Sequence, residues 1–152
     1  MQIKTNENDK IYLSIDFEDF SHDFKRRLGL TKNNNINEKA LWRSYEIINN
    51  FLETKLDSAK ITFFCTGILA TKCPDLIKKI SNDGHEIACH GYGHIEIFKQ
   101  SYNSFKLDVQ QSKDMLEQII GEPIAEEDIV INHTFFLVIF GIPCLLCVPA
   151  CE

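Results

Sequence analysis

Three of the five histidines fall within one run, Gly84-His85-Glu86-Ile87-Ala88-Cys89-His90-Gly91-Tyr92-Gly93-His94. His90 and His94 are four apart with two glycines between them. That spacing puts two imidazoles on one side of a helical turn or tight loop, close enough to hold one divalent ion. Zinc held by histidine and carboxylate with a position left open is the usual catalytic arrangement. The pair therefore asks for a carboxylate from elsewhere in the chain, and Asp16, Glu18 and Asp19 offer it. Acids so close together are costly to bury unless a cation or protons compensate. As a solvated loop the same acids would be ordinary turn formers.

Both motifs sit where strands should end. Ile11–Ile15 is a short β-favouring apolar run that leads into the acids. Lys60–Cys65 reads as a second strand. His85–Cys89 reads as a third, breaking into the glycine-rich turn. Ligands and metals gather at the carboxyl ends of strands in α/β proteins. His22–Asn37 is polar, with Gly29 and an asparagine cluster, and reads as a loop carrying a surface His22. Asn37 is a plausible N-cap for a helix to about Leu56, with Leu41, Tyr45, Ile48 and Phe51 or Leu52 on one face. Thr66-Gly67 opens a short helical piece. Pro74 opens a helix to about Asn82, and Gly84 stands in the stop position. A last helix runs from about Asn103 to Ile120, with Phe105, Val109, Ser112, Leu116 and Ile119 along one stripe and Gly121 ending it. Strand alternating with helix implies a parallel sheet with right-handed crossovers. Three strands are few for such a sheet, so the pattern reads as the first part of a barrel or larger open sheet.

Composition agrees with one globular domain: 152 residues, 44% apolar and 25% charged. A net charge of −6 without a basic patch argues against a nucleic-acid partner. Met1–Lys10 has no apolar leader, and the six cysteines are scattered, which points to a reduced, cytoplasmic setting. Ile129–Ala150 carries no formal charge apart from a protonatable His133 and is long enough to span a bilayer. Pro143, Pro149 and the lack of flanking Lys or Arg argue against a span. Cys144, Cys147 and Cys151 have a spacing reminiscent of metal sites but lack a fourth ligand.

Taken together, the quoted residues resemble the polysaccharide deacetylase family, the NodB-homology domain. Leu13-Ser14-Ile15-Asp16-Phe17-Glu18-Asp19-Phe20 resembles its acidic motif, in an Asp-x-Glu-Asp form. Ile61-Thr62-Phe63-Phe64 follows, and Gly84-His85-Glu86-Ile87 with His90 and His94 resembles the histidine motif. Each piece is weak alone, and their order and spacing make the joint signal strong. The resemblance covers roughly residues 10 to 123. It implies a (β/α)7 barrel, here in part, and hydrolysis of carbon–nitrogen bonds that removes acetyl groups from N-acetylated sugars with a divalent metal, zinc by preference. It carries Asp16 to the catalytic base, and Asp19, His90 and His94 to the metal ligands. Period-two geometry would place Glu18 on the side of Asp16, so Glu18 stands as the alternative ligand.

After Gly121-Glu122-Pro123-Ile124 the resemblance stops. The family's arginine-proline motif and late histidine have no counterpart, and His133 lies in an apolar run. The expected organisation is therefore a truncated deacetylase domain at 1–124 and an unrelated apolar tail at 125–152, as a frameshift or premature end would produce, with weak or absent activity for this chain. Two alternatives stand beside it: a hydrolase of another linear or cyclic amide, and a non-catalytic protein tethered to a membrane through 129–150.

Overall fold

The computed structural model describes residues 12–30 and 35–125. The tail at 126–152, its cysteines and the membrane reading attached to it lie outside the described residues. No helix among the described residues is long and apolar enough to cross a membrane.

Strands β1 (Ser14–Phe17), β2 (Thr62–Cys65) and β3 (Glu86–Cys89) pair in parallel in the order β1-β2-β3. Asp16, Phe64 and Ala88 form one row across the sheet, and Phe17, Cys65 and Cys89 the next. Helices α1 (Phe20–Arg27) and α2 (Glu38–Lys55) join β1 to β2, while α3 (Gly67–Lys72) and α4 (Pro74–Asn82) join β2 to β3. A 3-10 turn at Ile97–Lys99 precedes α5 (Tyr102–Ile120), which packs on α3, α4 and β3. This is the expected α/β unit of consecutive parallel strands with crossover helices.

The helix ends are set by local chemistry. The Asn37 side chain accepts from the Ala40 amide at 3.1 Å, Thr66 from Leu69 at 3.3 Å and Ser101 from Ser104 at 3.2 Å. Pro74 stands in the first turn of α4, where its missing N–H costs nothing. Gly121 closes α5 at φ +84°, the left-handed stop. The core lies between the sheet and its helices. Phe63 is fully buried and meets Phe17, Tyr45 and His85 edge-on, at centroid distances of 5.4, 5.9 and 5.2 Å.

One element departs from the sequence reading. The stretch expected to be a loop begins with helix α1, and His22 is buried in it rather than on a surface loop. Asp19 caps α1, Asp23 lies in its first turn, and Lys25, Arg26 and Arg27 lie in its last turn, which suits the helix dipole at both ends. The cap-and-charge pattern was in the sequence. The asparagine cluster that follows obscured it.

Candidate metal centre

The site forms where β1 and β3 stop. Asp16 is the third residue of β1, on the face opposite the core residue Phe17. Alternation persists for one residue past the strand, so Glu18 turns to the same side. On β3, the His90 amide still pairs with the Cys65 carbonyl at 2.9 Å. Gly91 then turns the chain at φ +73°.

The turn that separates the two histidines is tied down atom by atom. The amides of Gly67 and Ile68, at the start of α3, donate to the carbonyls of Gly91 and Tyr92 at 2.9 and 3.1 Å. Asp108 of α5 accepts from the amides of Tyr92 and Gly93 at 2.8 and 3.3 Å. The buried Ser112 hydroxyl donates to the Gly91 carbonyl at 2.9 Å. His94 ends the turn at φ +52°. A side-chain residue held in that region costs about 1–2 kcal/mol, which the surrounding contacts must offset.

Glu18, His90 and His94 each offer one ligand atom, and these atoms lie within 4.8 Å of one another. His90 is 2% exposed. Its Nε2 lies 4.0 Å from Asp16 Oδ2, and the two histidine rings have centroids 4.8 Å apart. His94 Nδ1 lies 2.8 Å from Glu18 Oε2 and 3.2 Å from Asp23 Oδ1. Burial alone would lower the pKa of His94. The carboxylates of Asp23 and Glu18 outweigh it and lift the imidazole to about 9. Burial raises the pKa of Asp16 above its ordinary value, and the nearby histidines only partly offset that. The pocket thus favours positive charge at its centre. Two imidazoles and a carboxylate converging there are the donor set that suits a divalent ion such as zinc.

The predicted residues do not all meet. Asp16, His90 and His94 come together. Asp19 does not reach them, because both its oxygens serve the backbone: Oδ1 accepts from the His22 amide at 3.1 Å and Oδ2 from the Asn37 amide at 2.7 Å. The carboxylate beside the histidines is that of Glu18. His85 faces away from the site, into the core. Its Nδ1 accepts from the Ile61 amide at 3.4 Å and its Nε2 pairs with Asn49 Oδ1 at 3.1 Å. Asp23, Asp108 and Ser112 were missed as site residues. A serine on the apolar stripe of α5, one turn after Asp108, was the readable sign.

Gly91 offers a direct test of the turn. A Cβ there would stand 2.9 Å from Asp108 Oδ2, and the residue would be forced to φ +73°. Gly91→Ala is expected to cost about 1–2 kcal/mol for the left-handed backbone and more for displacing Asp108. Urea unfolding of the two proteins measures it. Equal stability would show that the turn is not held as described.

Comparison with known proteins identifies the family. A sequence profile of the family "Polysaccharide deacetylase" matches residues 45–125, more than half of the chain. The chain belongs to the polysaccharide deacetylase family. The matched region contains His90 and His94 and begins after the acids of β1. A peptidoglycan-N-acetylglucosamine deacetylase of Bacillus cereus is 31% identical over 67 residues, which are 44% of this chain and 24% of that protein. An uncharacterized Bacillus subtilis protein, YlxY, is 33% identical over 78 residues, 48% of this chain and 24% of its own. The chain thus spans about a quarter of the length of these relatives. Among solved structures, a mutant of a Bacillus anthracis CE4 family pseudoenzyme with restored enzymatic activity aligns with a TM-score of 0.53 at 21% identity. That alignment covers 78% of this chain and 36% of the other, and it places the fold among those of the family.

Proposed function

We propose that the chain carries the metal-binding half of a carbohydrate N-deacetylase site, with Glu18, His90 and His94 holding a divalent ion, zinc by preference, and Asp16 as the base. The observation that carries this reading is the convergence of those three ligand atoms within 4.8 Å beside Asp16. The family membership and the peptidoglycan-N-acetylglucosamine deacetylase named among the relatives support an N-acetylated sugar as substrate.

When bound, the ion would polarise an amide carbonyl and make a neighbouring water more acidic, toward a pKa of about 7. The residues do the rest. Glu18, His90 and His94 would hold the ion where β1 and β3 end. Asp16, its pKa raised by burial, is a better proton acceptor than an exposed aspartate and is placed to take the proton of the attacking water. The ties on the Gly91–Gly93 turn keep His90 and His94 at a fixed spacing, which preserves the geometry between binding and reaction.

Zinc stoichiometry by elemental analysis, with acetate release from N-acetylglucosamine oligomers, tests the proposal. Asp16→Asn should retain zinc and lose about 10²- to 10⁴-fold in whatever turnover the chain supports, the usual worth of a positioned proton acceptor. A chain that takes up no zinc, or acetate release that Asp16→Asn leaves unchanged, would overturn it.

A further inference from the structure

The contacts around His94 carry an inference that rests on the metal-centre reading and goes beyond it. Asp108 and Ser112 of α5 hold the turn as far as Gly93. The next residue is held by α1. Arg26 Nη2 donates to the His94 carbonyl at 2.6 Å and to Asp23 Oδ1, also at 2.6 Å. That same Asp23 oxygen lies 3.2 Å from His94 Nδ1. Arg27 Nε lies 2.7 Å from the other Asp23 oxygen and fixes the carboxylate from behind. The side chains of Asp23 and His94 are 11% and 12% exposed and that of Arg26 is 24% exposed, so water screens the group little. We infer that Arg26 is a positioning residue for His94, one guanidinium gripping both the main chain of His94 and the carboxylate that faces its ring.

The chemistry requires both grips. The main-chain bond keeps His94 at φ +52°, where a residue with a Cβ does not settle by itself. The Asp23 carboxylate lies 3.2 Å from Nδ1, the ring nitrogen that also faces Glu18, and so limits the rotation of the ring. Arginine suits the task because its planar head presents several fixed donors at once. A lysine ammonium, compact and on a flexible stem, would serve one acceptor well and the other poorly. The link also joins α1 to a residue 68 positions further along the chain, so the helix that follows the acids helps aim the histidine that ends the turn after β3.

The test uses the full chain and its Arg26→Gln and Arg26→Lys variants. Zinc affinity is read by competition with a chromogenic chelator, and cobalt(II) is added for its visible spectrum. Arg26→Gln is expected to bind zinc about 10- to 100-fold more weakly, the usual effect of losing a group that orients a ligand, with altered cobalt bands. Arg26→Lys should recover part of the affinity. Should Arg26→Gln fail to fold by circular dichroism, Arg26→Lys carries the test, its expected affinity lying below that of the wild type. Affinity and cobalt spectrum indistinguishable from wild type in the folded variants would overturn the inference. Nitrogen-15 spectra of the metal-free proteins keep it separate from the metal-centre reading. The His94 ring signals should shift or broaden in the Arg26 variants while those of His90 hold. Unchanged His94 signals would defeat the positioning role even in a chain that binds no metal, and failure of the wild type to take up metal would by itself count only against the proposed centre.

Discussion

Replacing Glu18 with alanine is expected to empty the proposed metal centre as thoroughly as replacing His90 or His94, while Asp19→Ala should bind zinc as the unaltered chain does. Glu18 is the carboxylate whose oxygen lies 2.8 Å from His94 Nδ1. Without it two imidazoles remain, and two ligands do not make a stable zinc site. The affinity loss should exceed the about 10- to 100-fold typical of an outer-sphere change. Asp19→Ala removes the N-cap of α1 and the bond to the Asn37 amide, so its cost should appear in stability, at about 0.5–2 kcal/mol. Measuring zinc content and urea midpoints for both variants separates the two roles. Zinc lost from Asp19→Ala and kept by Glu18→Ala would restore Asp19 as the ligand and mean that the first turn of α1 rearranges around the ion.

The largest stability effect is expected at Phe63. Its ring is fully buried between Phe17, Tyr45 and His85, at the point where β2 meets α2. Tyr45 is itself anchored by its hydroxyl bond to Asp83, and His85 by Asn49 and the Ile61 amide, so the walls of the cavity have little freedom to collapse. Phe63→Ala should therefore cost about 3–5 kcal/mol. Against a total that for ordinary domains is about 5–15 kcal/mol, that is enough to leave a substantial unfolded fraction on mild heating. Equilibrium denaturation gives the number directly. A loss below that of an exposed substitution would mean that the aromatic cluster repacks.

Much of this arrangement is legible without coordinates. The strands were readable as apolar runs, although β1 begins at Ser14 and leaves out the apolar Tyr12 and Leu13, because strand limits follow pairing with β2 and not hydropathy. Asn37 and Pro74 by their side chains, and Gly84 and Gly121 by their freedom to take positive φ, marked helix ends through chemistry that acts locally. His90 and His94 were readable as a pair from their spacing, although the turn that brings them together is held by α1, α3 and α5. The choice between Glu18 and Asp19 was not settled by the motif. It depended on whether alternation survives past Phe17, and on Asp19 being claimed by a helix that the polar sequence disguised. Arg26 and Asp108 could not be found by local reading, since each acts on residues that only the fold brings near. The tail's apolar run and the domain boundary at 124 stand as sequence expectations.

The two amides that open α3 have a further consequence. Because Gly67 and Ile68 donate to the carbonyls of Gly91 and Tyr92, these protons are released to solvent only when the turn between the histidines lifts away from α3. In deuterated water their exchange clocks the opening of the proposed metal centre, without any ligand or substrate present. The turn should therefore open away from α3 as one cooperative unit, and a bound ion should slow those two amides together while leaving the amides of the first turn of α5 at their own pace.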